Sequence, residues 1–218
     1  MRTQMRTAVV TGASSGMGKE FVRQLGYFYK DLDEIWVIAR RKERLEALKK
    51  ESRVPVRIFE GDLLKKPVYK EYHRALKELC PDVRMLVNAA GFGKSGSFTD
   101  IAREGKKFQT DMVDLNCRAL TRMTQMTIPW MGRGSRIVNL ASAAAFCPQK
   151  DFAVYAATKA YVLSFSRALG SELKACGIYV TAVCPGPVDT VFFTVSGELA
   201  NPLKKLTLAG APQVVHKA

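Results

Sequence analysis

Six short, largely apolar runs, Thr7 to Thr11, Glu34 to Ala39, Val54 to Phe59, Met85 to Asn88, Arg136 to Ala141 and Tyr179 to Cys184, alternate with helical patterns along the chain. This alternation predicts a parallel sheet with helices on both faces, an α/β architecture. Ligands of such sheets bind in the crevice beyond the carboxyl ends of the strands. The residues at those ends are therefore the ones to search for chemistry. There is no internal repeat, low-complexity tract or linker, and the 218 residues predict a single domain.

The first strand runs into Thr11-Gly12-Ala13-Ser14-Ser15-Gly16-Met17-Gly18, followed by a helical pattern through Phe21, Val22 and Leu25. Gly12 permits a tight turn, Gly16 lets the backbone approach a pyrophosphate, and Gly18 allows helix and strand to pack closely. The free N–H groups at the helix start then face the anion. The spacing is G-x-x-x-G-x-G, so a plain turn is the competing reading. The second strand ends Ile38-Ala39-Arg40-Arg41, with no Asp or Glu to bond a ribose 2′-hydroxyl. Arg40 can instead pair with a 2′-phosphate, which favours NADP(H) over NAD(H). Lys19 and Arg41 are further cations near this turn, and a simple surface arginine is the alternative for Arg40.

Tyr155 and Lys159 stand one helical turn apart in a helix predicted over Ala153 to Leu173, whose apolar stripe is Val162, Phe165 and Leu169. An ammonium beside the phenol should lower the tyrosine pKa from its reference of about 10. A phenol so tuned can act as a general acid or base. Ser142 lies upstream at the end of a strand-like run. Packing is the ordinary reading of a helical tyrosine, and it is the combination with the glycine turn that favours catalysis.

These motifs, with Asn88-Ala89-Ala90-Gly91, Asn116 and Pro185-Gly186, stand in the order of the short-chain dehydrogenase/reductase (SDR) family, which the chain resembles over almost its whole length. The resemblance implies a Rossmann-like doubly wound sheet and hydride transfer between nicotinamide and a ketone, aldehyde or secondary alcohol. Tyr155 is then the general acid/base and Ser142 holds the carbonyl oxygen. Lys159 binds the nicotinamide ribose and biases Tyr155. Asn116 opens its helix locally and holds a water. Of the remaining residues, Ser14, Ser15 and Met17 belong to the glycine turn. Asp62, with Leu63, corresponds to the adenine contact, and Ala89, Ala90 and Gly91 pass the adenosine ribose. Asn88 either touches cofactor or braces the sheet. Pro185, Gly186, Val188 and Thr190 correspond to the carboxamide-binding segment. The resemblance further implies a homodimer or homotetramer built through the helices of Asn116 and Tyr155. It also implies one more helix and a final strand, which the sequence ending at Ala218 lacks; truncation is the favoured reading and a minimal pocket covered by a partner subunit the alternative, and without that strand a sheet edge is expected to be exposed.

A net charge of +14 raises the question of a nucleic-acid partner. The basic residues from Arg40 to Lys66 are interleaved with Glu43, Glu46, Glu51 and Asp62, the pattern of a solvated surface, so no nucleic-acid partner is expected. No apolar run has membrane-spanning length and no signal peptide leads the chain, which predicts a cytoplasmic protein without membrane association. Five scattered cysteines predict reduced thiols, and two histidines in polar surroundings predict no metal site. Phe92, Phe146, Cys147, Phe152, Phe192 and Phe193 are candidates to line a pocket for a hydrophobic carbonyl. A catalytically silent dinucleotide sensor or scaffold is the alternative function.

Overall fold

A computed structural model describes residues 4–186, 188–189 and 209–218 of the protein. The strands β1 (Arg6–Thr11), β2 (Glu34–Ala39), β3 (Val56–Glu60), β4 (Asp82–Asn88), β5 (Arg136–Leu140) and β6 (Tyr179–Val183) form one sheet in the order β3-β2-β1-β4-β5-β6. Every pairing in it is parallel. The order reverses between β1 and β4, which opens a crevice above their carboxyl ends.

The strand sequences are nearly all apolar because both faces of the sheet are covered. Val9 of β1 packs with Trp36, Leu86 and Ile137 on one face, against Tyr72 and Leu76 of α3 (Lys66–Leu79), Met123 of α6 (Leu120–Thr127) and Leu169 of α7 (Ala153–Leu173). Ala8 and Val10 point to the other face, where Phe21, Val22 and Leu25 of α1 (Gly16–Phe28) and Leu45 and Leu48 of α2 (Lys42–Glu51) cover them. The charged residues of α2 are exposed around those two buried leucines, as its interleaved charges predict.

The glycines of the first turn are required by contact. Gly12 has φ +69°, and a Cβ there would stand 2.8 Å from the backbone of Ala90. A Cβ on Gly18 would stand 2.4 Å from the carbonyl oxygen of Gly12, so α1 can lie this close to β1 only without a side chain. Thr11 holds the opposite wall, its Oγ1 accepting the N–H groups of Ala89 and Ala90 at 3.1 Å each.

Asn88 braces the sheet. Its Nδ2 donates to Thr124 Oγ1 (3.0 Å) and to Asn139 Oδ1 (2.9 Å), and Asn139 Nδ2 donates to Ser166 Oγ on α7 (2.9 Å). These four side chains are all at most 3% exposed and tie α6, β4, β5 and α7 together. Of the two roles open to Asn88, the structure supports the brace.

The strands agree with the sequence pattern to within a few residues, and α7 has the predicted limits. β4 starts earlier, at Asp82, because its N–H donates to Met5 O and its carboxylate pairs with Arg84 at 3.5 Å, polar contacts that hydrophobicity does not reveal. Short parallel strands β7 (Val188–Asp189) and β8 (Ala209–Gly210) form a separate pair, and α8 (Ala211–His216) follows. Val215 of α8 joins the core beside α1, and Gln24 Nε2 donates to Pro212 O at 2.9 Å. Among the described residues, β6 forms one edge of the sheet.

Candidate active site

The crevice between β1 and β4 is lined by the glycine turn. No side chain caps the first turn of α1, so its leading N–H groups remain available to an anion. Arg41 lies across this turn: its Nη2 donates to Ser14 Oγ (3.0 Å) and Ser15 Oγ (2.7 Å), and its Nε to Ser14 Oγ (3.2 Å). Burial pushes the Arg41 pKa down, and the neighbouring charges of Arg44 and Arg40 push it the same way. Arg41 therefore carries the repulsion of two neighbouring cations to the turn, where an anion would relieve it. Arg40, singled out from the sequence, is exposed and belongs to this cluster, but it is Arg41 that reaches the serines. Lys19 faces elsewhere, paired with Glu51 at 3.3 Å. These features fit a dinucleotide with its phosphates on the α1 terminus.

Deeper along the same edge, Ser142 and Tyr155 are hydrogen-bonded, and the Lys159 Nζ stands 5.6 Å from the Tyr155 ring centroid. The rigid helix α7 supplies Tyr155 and Lys159 from one face, both buried, at 8% and 7% exposure. Ser142 opens the helical turn Ala143–Phe146, its Oγ accepting from Ala144 N, and Ala143 N donates to Pro185 O (2.8 Å). The segment after β6 is thereby joined to the serine.

The expected lowering of the Tyr155 pKa is overturned. Burial raises it, the hydrogen bond with Ser142 lowers it, and burial prevails. The Lys159 ammonium is directed at the Leu140 carbonyl at 2.6 Å, away from a close pairing with the phenol. Burial also pulls Lys159 itself down to about 8, while Cys117 and Cys184 oppose that shift.

Asn116 is 1% exposed and sits in a π-helical stretch, Asp114–Ala119, between α6 and α5 (Phe108–Val113), the latter preceded by the short α4 (Phe98–Arg103). The helix is thus opened locally at the expected residue, a geometry frequent at functional sites. Its side chain is held by Phe92: Oδ1 accepts from Phe92 N (3.0 Å) and Nδ2 donates to Phe92 O (2.9 Å). Gly91 lies against it, where a Cβ would be 2.9 Å from Asn116 Oδ1.

The predicted adenosine contacts gather on the α3 side. Asp62 accepts from Leu64 N (3.0 Å), and Tyr69 Oη donates to the Leu63 carbonyl (2.6 Å). Leu63, Ala90 and Leu115 line a tight crevice with Thr11 and Asn88, too narrow to admit a water molecule. Leu115 and Thr11 were missed from sequence, since a leucine in a helix and a threonine in a strand carry no distinguishing signal. Gly186 is exposed and Val188 buried, whereas Thr190, Phe192 and Phe193 lie outside the described residues. Phe92 and Phe152 pack around Tyr155, the latter with ring centroids 4.8 Å apart. Phe146 is 69% exposed and Cys147 is exposed too, so neither is enclosed by the described residues.

Residues 6–198 match the family model described as short chain dehydrogenase. The chain belongs to the short-chain dehydrogenase family. This short-chain dehydrogenase is 37% identical to a putative ketoacyl reductase of Streptomyces coelicolor, over 87% of the chain and 74% of the relative. It is 35% identical to a sulfoacetaldehyde reductase of Chromohalobacter salexigens, over 84% of the chain and 72% of the relative. Among solved structures it resembles a short-chain dehydrogenase from Sphingobium yanoikuyae in complex with NADPH, with a TM-score of 0.80 and 30% identity, covering 97% and 82% of the two chains. As a member of this family it is an oxidoreductase of CH–OH and C=O groups that uses a nicotinamide dinucleotide. Among the described residues of this short-chain dehydrogenase, no helix is long and apolar enough to cross a membrane, and no cluster of three metal-ligating side chains occurs.

Proposed function

We propose that the protein is an NADP(H)-dependent reductase or dehydrogenase of hydrophobic carbonyl compounds and their alcohols, with Tyr155 moving the proton. The observation that carries this reading is the hydrogen-bonded Ser142–Tyr155 pair, with Lys159 beneath it, at the sheet edge that also bears the glycine turn. The bound nicotinamide supplies or accepts the hydride. Ser142 orients the substrate oxygen, and Tyr155 donates its phenolic proton to that oxygen in reduction and withdraws it in oxidation. With the dinucleotide bound, Lys159 would hold the nicotinamide ribose, and its charge would favour the phenolate. Asn116, in the opened helix, holds a water that links Lys159 to solvent. Phe92 and Phe152 supply an apolar wall beside Tyr155, which favours a hydrophobic carbonyl.

Two observations support NADP(H): Arg41, with Arg40 and Arg44 near it, reaching Ser14 and Ser15, and the NADPH complex of the Sphingobium relative. Asp62, Leu63, Ala89 and Ala90 hold the adenosine, while Pro185, Gly186, Val188 and Thr190 hold the carboxamide. The test is a fluorescence titration with NADPH and NADH on wild type, Arg40→Ala and Arg41→Ala. Tighter NADPH binding, lost selectively in an arginine variant, supports the reading; equal affinity for both nucleotides in all three proteins defeats it.

Self-association runs through the face of the π-helical stretch and α7, where Val113 at the end of α5 and Tyr161 of α7 are 46% and 42% exposed. A monomeric mass in sedimentation at micromolar concentration would remove that part of the proposal.

A further inference from the structure

Thr158 lies between Tyr155 and Lys159 on α7, is 3% exposed and lacks an assigned part in the chemistry. Its Oγ1 accepts from Asn116 Nδ2 (3.0 Å) and donates to the Tyr155 carbonyl (2.7 Å). The direction of these bonds is determined. The Phe92 N–H must face Asn116 Oδ1, and the Phe92 carbonyl must face Nδ2. The remaining Nδ2 hydrogen therefore goes to Thr158 Oγ1, which leaves the threonine's own hydrogen for Tyr155 O. A single polarised path then runs from the loop after β4, through the π-helical stretch, into the turn of α7 that carries the phenol and the ammonium. Asn116 has both amide hydrogens committed to this path, one to Phe92 O and one to Thr158 Oγ1.

We propose that Thr158 is a positioning residue: its hydroxyl locks the Tyr155 turn to Asn116 and Phe92, so that the phenol and the loop bearing Gly91 and Phe92 keep one mutual geometry. The proposal rests on the reading of Tyr155 as proton donor. A serine would preserve both hydrogen bonds, whereas valine keeps the volume and leaves the Asn116 amide with a buried, unpaired hydrogen.

The experiment compares wild type, Thr158→Ser and Thr158→Val with NADPH and two probe ketones, propiophenone and ethyl acetoacetate. Near-ultraviolet circular dichroism and the NADPH Kd establish that each variant is folded. The expected result for Thr158→Val is a kcat lower by about 10- to 100-fold with an unchanged KM for NADPH. The pH–rate profile should be displaced, and Thr158→Ser should restore both. Amide exchange of Phe92, read without any substrate, should accelerate in Thr158→Val alone. Should wild type turn over neither ketone, the function above loses support and the exchange comparison alone decides on the tie. Unaltered Phe92 exchange in a folded Thr158→Val, or a wild-type profile and kcat in that variant, overturns the proposal. If Thr158→Val does not fold, failure of Thr158→Ser to retain wild-type kcat and exchange overturns it as well.

Discussion

The Lys159 ammonium donates to the carbonyl of Leu140 at 2.6 Å, a buried cation held by the last residue of a central strand. One hydrogen bond does not replace the hydration that the charge loses, which is why its pKa falls from 10.5 to about 8.

That depression makes Lys159 a pH-dependent weakness. Between about 8 and 10.5 the unfolded chain binds more protons than the folded one, so stability rises with pH across this window. Below about 8 the penalty is present in full, and at about 1.4 kcal/mol for each pKa unit it is on the order of 3 kcal/mol. Lys159→Met is accordingly expected to be more stable than wild type at pH 7, with an advantage that shrinks toward pH 10.5. Urea melts across that range check it; an advantage independent of pH would show that the lysine is not the source.

Tyr155→Phe is expected to lower turnover by about 100- to 10,000-fold, the usual contribution of a positioned proton donor. Removing the hydroxyl of so deeply buried a ring leaves the turn of α1 untouched, so NADPH should still bind with wild-type affinity. Paired steady-state and binding measurements separate the two quantities.

For the arginine cluster, Arg41→Ala is expected to weaken NADPH binding by roughly 10- to 100-fold, the value of one or two hydrogen bonds to a charged group, with NADH affinity nearly unchanged. Arg40→Ala should cost less, since Arg41 is the one that spans Ser14 and Ser15. Calorimetric titration with both nucleotides ranks the two residues.

Asn139→Ala should destabilise the fold by about 2–5 kcal/mol, because it opens a space at the sheet centre and strips partners from Asn88 and Ser166. Thermal melts of the single variants and of an Asn139→Ala/Asn88→Ala pair measure it. The pair should lose much less than the sum of its parts.

Much of the architecture was legible because alternation of apolar runs and glycine spacing are local, periodic signals. The helix of Tyr155 and Lys159 was readable for the same reason: a long run of good helix formers with one stripe. What escaped was set by tertiary contact. Whether Arg40 or Arg41 reaches the glycine turn depends on how the chain leaves β2, which no local pattern encodes. The Tyr155 pKa was misjudged because one-turn spacing places an ammonium near a phenol but says nothing of the Leu140 carbonyl competing for it or of the burial of both groups. Thr158, one of several threonines in the chain, becomes informative only once Asn116 is seen at its side.

The glycine turn also bears on how such a protein can diversify. Gly12 and Gly18 are held by backbone contacts that would not admit a methyl group, so the path of the turn resists mutation. Arg41, by contrast, meets Ser14 and Ser15 through side-chain atoms. Shape and charge are thus inherited separately, and a lineage can change the charge at the rim by a few exchanges while the backbone of the turn stays as it is.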